Sequence, residues 1–127
     1  MARKVILNVE DNEANRKIVR YLFESKGYKV IEAMDGEEGV RMAEQEQPDI
    51  ILMDVQLPKL SGYEATLRIK ANPALRDIPV IAVTSFALGG DDEKAMEAGC
   101  DDYIAKPFKP RDLLERVEKF LSAKETG

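Results

Sequence analysis

Histidine and tryptophan are absent from this chain of 127 residues, and cysteine occurs once, as Cys100. The missing imidazole excludes Ser-His and Cys-His nucleophilic machinery and any histidine metal site. It also means that the chain cannot carry phosphohistidine; a partner must supply the imidazole if that chemistry is involved. A lone cysteine forms no internal disulfide and is expected to pack as a small apolar residue. Long apolar runs are missing too, and those present are far too short to cross a bilayer. Met1-Ala2-Arg3-Lys4 leads straight into a strand without an apolar signal segment, so a cytoplasmic, non-membrane protein is expected. Basic residues are the minority, 19 Lys+Arg against 24 Asp+Glu, for a net charge of -5. That balance disfavours nucleic acid as the main partner, since phosphate binding needs a basic face.

With 44% hydrophobic and 34% charged residues, the composition is that of a globular chain. Its length fits one domain over 1–127, with a core from about 4 to 121 and a frayed tail over 122–127. The starting Met and short polar tail suggest a complete chain. The chain is organised around Ile50-Ile51-Leu52-Met53-Asp54, an unbroken apolar run that ends on one carboxylate. Such a run, punctuated by Pro48 and Pro58, reads as a strand buried on both faces. Asp54 then sits at the carboxyl end of a buried strand, where open α/β sheets carry their chemistry.

Other strands are expected at Val5–Val9, Tyr28–Ala33, 78–83 and Tyr103–Ala105. Helices are expected from Asn12, an N-cap, to the stop at Gly27; from Asp35-Gly36 through Ala43, weakened by Gly39; and from Gly62 through Lys70. Two more are expected from about Leu88 to Ala98 and from Pro110 to about Leu121. The last is the strongest amphipathic pattern, with Leu113, Leu114, Val117, Phe120 and Leu121. Strict alternation of five strands with five helices implies an α/β fold: a parallel sheet covered by helices on both faces.

In a parallel sheet all carboxyl ends share one edge. That edge collects Glu10 and Asp11, then Asp54, then Thr84 and Ser85, then Lys106. Three carboxylates at about 4 Å repel by roughly 4 kcal/mol per pair at an effective dielectric of about 20, so a counter-charge is required. Lys106 supplies one positive charge and a divalent cation would supply two more. Hard oxygen ligands favour Mg2+. The chemistry that follows is attack by a carboxylate on a phosphoryl group to form an acyl phosphate. Glu10 and Asp11 would hold the metal, Lys106 and Thr84 would meet phosphoryl oxygens, and the backbone carbonyl of Gln56 would complete the ligands.

At these positions the chain resembles the response-regulator receiver domains of bacterial two-component signalling. The motifs are Val-Glu-Asp-Asn at 9–12, Ile-Leu-Met-Asp-Val-Gln-Leu-Pro at 51–58, Gly62, Val-Thr-Ser at 83–85 and Ala-Gly-Cys-Asp-Asp-Tyr-Ile-Ala-Lys-Pro at 98–107. The likeness spans about 4–121 and is most similar to DivK-type stand-alone regulators. It implies a doubly wound, flavodoxin-like (βα)5 fold with strand order 2-1-3-4-5 and a cis bond before Pro107. It implies Asp54 as phosphoacceptor, Glu10, Asp11 and Asp54 as the Mg2+ carboxylates, and Lys106 and Thr84 as catalytic. It further implies Thr84 and Tyr103 as switch residues. A sensor histidine kinase or histidine phosphotransfer protein would donate, and a downstream protein would read the switched surface, as a two-component phosphorelay requires. Such a chain is a phosphoacceptor that catalyses its own phosphorylation and dephosphorylation, not an enzyme acting on other substrates.

Two departures stand out. Asn8 occupies an otherwise apolar strand and is expected to find a hydrogen-bond partner. Ser85 follows the switch threonine where alanine is commoner in the family. Ser85 and Phe86 neighbour the phosphoryl position, and a bulky Phe86 would shield it from water. Asn15, Val19, Pro107 and Phe108 are candidate docking positions for the donor, although Val19 and Phe108 also suit the core.

Three other readings compete. A haloacid-dehalogenase-like phosphatase needs a second Asp two residues beyond the nucleophile, where this chain has Gln56. A flavodoxin-like cofactor carrier needs a phosphate loop after strand one, where this chain has Glu10-Asp11-Asn12-Glu13. A pseudo-receiver, a pure interaction module, would not need the full acceptor set that is present.

Overall fold

The computed structural model describes residues 3–84 and 91–126. Five parallel strands form one sheet in the order β2-β1-β3-β4-β5. They are β1 (Val5–Val9), β2 (Lys29–Ala33), β3 (Ile50–Asp54), β4 (Val80–Thr84) and β5 (Asp102–Ala105). The helices are α1 (Glu13–Glu24), α2 (Gly36–Glu46), α3 (Gly62–Ala71), α4 (Asp91–Ala98) and α5 (Pro110–Thr126). Fold class, strand order and the cis Lys106-Pro107 bond agree with the expectation.

The period-two alternation of strand side chains divides the core into two. Ile6, Ile50, Leu52, Ile81, Val83 and Ile104 face one way and pack with Val19 and Phe23 of α1 and Leu113, Val117 and Leu121 of α5. Leu7, Val9, Ile51, Met53, Val80 and Ala82 face the other way and meet Ala43 of α2, Ala65 and Ile69 of α3 and Ala95 of α4. β3 is buried along its whole length, as its unbroken apolar run requires. Cys100 is buried in the second layer, and desolvation raises its thiol pKa above the ordinary value. A raised pKa suits a packing residue and not a nucleophile.

Caps follow the sequence. The Asn12 side chain accepts from the Asn15 amide at 3.0 Å, and Asp35 accepts from the Glu38 amide at 2.8 Å. Several boundaries shift by a residue, and the larger differences are at β4, α2 and α5. β4 begins at Val80, because Pro79 has no N–H and the Ile78 amide donates to the Leu75 carbonyl instead. α2 continues past Ala43 to Glu46 despite Gly39. A Cβ at Gly39 would lie 3.0 Å from both Val9 methyls, so this glycine is the point of close approach between helix and sheet. α5 continues past Leu121 to Thr126. The expected start of the fourth helix at Leu88 falls outside the described residues.

Asn8 departs from the expectation: it is 5% exposed, yet its Nδ2 has no hydrogen-bond partner. Its strand position faces the α1/α5 layer, where Ile6 and Leu52 offer only methyl groups.

Gly62 fixes the geometry just beyond Asp54. A Cβ there would overlap the Asp54 carbonyl oxygen and the Val55 Cα. Gly62→Ala is expected to force the loop off the end of β3 and cost about 3 kcal/mol. A shift of the urea midpoint with unchanged slope measures this; a shift under a few tenths of a kcal/mol would contradict the packing argument.

Candidate functional site

The carboxyl edge of the sheet brings together what the sequence placed there. β1 delivers Glu10 and Asp11, β3 ends on Asp54, and Lys106 follows β5. One carboxylate oxygen from each of Glu10, Asp11 and Asp54 lies within 4.8 Å of the others. Glu10 and Asp54 are 5% and 7% exposed, whereas Asp11 faces solvent. Lys106 Nζ donates to Glu10 Oε1 at 2.8 Å and to Asp54 Oδ2 at 3.2 Å. Burial is the largest single influence on Lys106 and acts to lower its pKa. Its hydrogen bond to Glu10 and the charges of Asp54 and Glu10 together outweigh burial and hold the ammonium above its ordinary value. The lysine is therefore charged at any physiological pH.

Backbone groups hold the carboxylates in place. The Gln56 amide donates to Asp54 Oδ1 at 2.9 Å, and the Asn12 amide donates to Glu10 Oε2 at 3.2 Å. Arg16 Nη1 donates to the Glu10 carbonyl at 3.0 Å. Neither the Gln56 amide nor Arg16 was singled out in the sequence. Arg16 had a signal, a cation in the helix that follows the acidic pair; the Gln56 amide had none, because every residue carries one.

Thr84 is 1% exposed and ends β4, one residue beyond Val83, the Cα partner of Asp54. Its carbonyl accepts from the Lys106 amide at 2.7 Å, which ties the β4 end to the lysine. Tyr103 is half-buried on β5 and borders a cleft of about 290 Å³ with Glu93, Met96 and Glu97 of α4. Ser85 and Phe86 lie outside the described residues. Asn15, Val19, Pro107 and Phe108 all line one cavity of about 560 Å³ that reaches Glu10, Asp54 and Lys106. Val19 is 6% exposed and belongs to the core, so it offers little surface of its own; Ile18 beside it is 51% exposed.

The formal charge here is three carboxylates against one ammonium, which leaves two negative charges for one divalent cation. All the donors are hard oxygens, as Mg2+ and Ca2+ prefer, so the residues fit the metal the sequence implied.

The profile of the response regulator receiver domain matches residues 6–118. The chain belongs to the response regulator receiver family. Over 118 residues it is 45% identical to the polar-differentiation response regulator DivK of Brucella anthropi, covering 93% of this chain and 96% of that protein. The receiver domain of the sensor histidine kinase PA1611 from Pseudomonas aeruginosa superposes with a TM-score of 0.89 at 43% identity, covering 95% of this chain and 99% of that one. That structure holds a magnesium ion coordinated in its active-site cleft. A putative response regulator from Chloroflexus aurantiacus superposes with a TM-score of 0.91 at 30% identity, covering 95% and 99% of the two chains. The receiver fold and family are thus those the motifs implied. Among the described residues no helix is long and apolar enough to cross a membrane.

Lys106→Met should leave Glu10 and Asp54 buried without their cation, at a cost of about 3 kcal/mol. Millimolar Mg2+ should recover part of that loss, since it replaces positive charge. Urea midpoints with and without Mg2+ measure both effects; a variant as stable as the parent, or one indifferent to Mg2+, would contradict the charge account.

Proposed function

We propose that this receiver domain acts as a stand-alone response regulator of the cytoplasm, accepting a phosphoryl group from a partner's phosphohistidine onto Asp54. The observation that carries the reading is the cluster of Glu10, Asp11 and Asp54 around Lys106 at the carboxyl edge of the sheet. The Asp54 carboxylate attacks phosphorus, the P–N bond breaks, and the imidazole leaves with the electron pair and takes up a proton. The Gln56 amide orients Asp54 for attack through its hydrogen bond to Oδ1. Glu10, Asp11, Asp54 and the Gln56 carbonyl would hold Mg2+, which supplies positive charge for the transferred phosphoryl oxygens. Lys106 leaves its carboxylate contacts to pair with one phosphoryl oxygen, and Thr84 donates to another.

The product replaces the single charge of the Asp54 carboxylate with a phosphoryl group carrying about two negative charges at the end of β3. Thr84 drawn toward that charge, and Tyr103 filling the space it leaves, would bias the surface of α4, β5 and α5. α4 suits such a shift, with Met96 on its surface 53% exposed. Output is then contact with a downstream protein. A sensor histidine kinase or histidine phosphotransfer protein would dock beside the acceptor, around Asn15 and the Pro107-Phe108 turn. In this role the chain is a phosphoacceptor and not an enzyme acting on other substrates.

Incubation with acetyl phosphate and Mg2+, read by intact mass, tests the reading. One labile phosphoryl adduct is expected, absent from Asp54→Asn and absent without Mg2+. No adduct from acetyl phosphate or from a phosphohistidine donor would overturn it.

A further inference from the structure

The three carboxylates of the acidic cluster are secured unequally. Glu10 Oε1 accepts from Lys106 and Oε2 from the Asn12 amide. Asp54 Oδ2 accepts from Lys106 and Oδ1 from the Gln56 amide. Asp11 differs: among the described residues no donor is hydrogen-bonded to its carboxylate. Its direction therefore depends on the backbone that carries it. That backbone begins with the peptide unit joining Glu10 to Asp11, whose oxygen is the Glu10 carbonyl. The ladder to β2 ends here: the Glu10 amide donates to the Ala33 carbonyl at 2.9 Å, and Ala33 is the last residue of β2. The Glu10 carbonyl takes its hydrogen bond from Arg16 Nη1 at 3.0 Å. Arg16 is half-buried near the start of α1, and its own amide donates to the Asn12 carbonyl at 3.0 Å. One guanidinium thus ties α1 to the peptide plane shared by two of the three carboxylate residues.

We propose that Arg16 is a positioning residue for metal binding: its bond to the Glu10 carbonyl sets the direction of Asp11 and so favours Mg2+ over Ca2+. The proposal rests on the Mg2+ reading of the acidic cluster and needs no phosphoryl transfer. Charge does not account for an arginine at this point, because a positive group beside the cluster competes with the metal. Geometry does. Mg2+ demands near-octahedral ligands at short distance, whereas Ca2+ accepts a flexible arrangement. Groups that orient a metal's ligands without touching the metal are worth about 10- to 100-fold in affinity. Loosening the peptide between Glu10 and Asp11 therefore penalises Mg2+ more than Ca2+. Loss of the Arg16 charge by itself would act the other way, strengthening both divalent ions to the same extent.

The test is titration of the unphosphorylated protein with Mg2+ and, separately, with Ca2+, read from the nitrogen-15 resonances of the Asp11 and Gln56 amides. The parent is compared with Arg16→Met and with Arg16→Gln, both neutral and both good helix formers. A urea melt of each variant checks that it is folded where it is titrated, and Arg16→Gln, which keeps a polar side chain, carries the test if Arg16→Met does not fold. The Kd for Mg2+ is expected to rise about tenfold and that for Ca2+ by about threefold or less. An unchanged Kd for Mg2+, tighter binding of both ions, or equal weakening of both would overturn the proposal. A parent that does not respond to Mg2+ would overturn it together with the metal assignment. Failure of the phosphoacceptor reading shows elsewhere, as a missing mass adduct on a protein that still binds Mg2+.

Discussion

One ammonium group joins the two ends of the sheet's working edge. Lys106 Nζ reaches Glu10 Oε1 at 2.8 Å and Asp54 Oδ2 at 3.2 Å, linking residues that are far apart in sequence and arrive on different strands. Without that cation, two largely buried carboxylates would face each other and a third, Asp11, at short range. The charges do not balance within the chain: the lysine offsets one of three negative charges, and the remainder favours a divalent cation. On the proposed reading, the same contact that stabilises the resting site is the one that rearranges when Asp54 is phosphorylated.

The rest of the fold serves to keep those charges in register. Five parallel strands place every carboxyl end on one edge, and the buried β3 fixes Asp54 at its centre. Gly62 lets the following loop cross directly over the Asp54 carbonyl. The Gln56 amide and the start of α1 then supply hydrogen bonds that no side chain provides. Strands and backbone amides hold Asp54 and Glu10 in place, while α4 buries Ala95 and Ala98 and leaves Met96 53% exposed.

Much of this was legible in the sequence because the signals are local and repeated. The apolar run before Asp54, the acidic pair after β1 and the lysine before Pro107 each mark a strand end, and alternation alone makes those ends neighbours. What escaped were features that depend on approach in space. Gly39 reads as a weak point in a helix, yet it is where α2 meets Val9. Ile78 looks like strand, but Pro79 delays the ladder to Val80. Val19 suits both docking and the core from its place on α1, and the structure buries it while it still lines the cavity. Asn8 was recognisable as a misfit, but only the structure shows that its Nδ2 stays buried without a partner.

The most direct measurement is a crystal structure with Mg2+ and beryllofluoride, an acyl-phosphate mimic. The account predicts a metal held by Glu10, Asp11, Asp54 and the Gln56 carbonyl, the mimic on Asp54, and Lys106 Nζ moved from Glu10 to a fluoride. A metal bound elsewhere, or Lys106 still on Glu10 with the mimic in place, would contradict it.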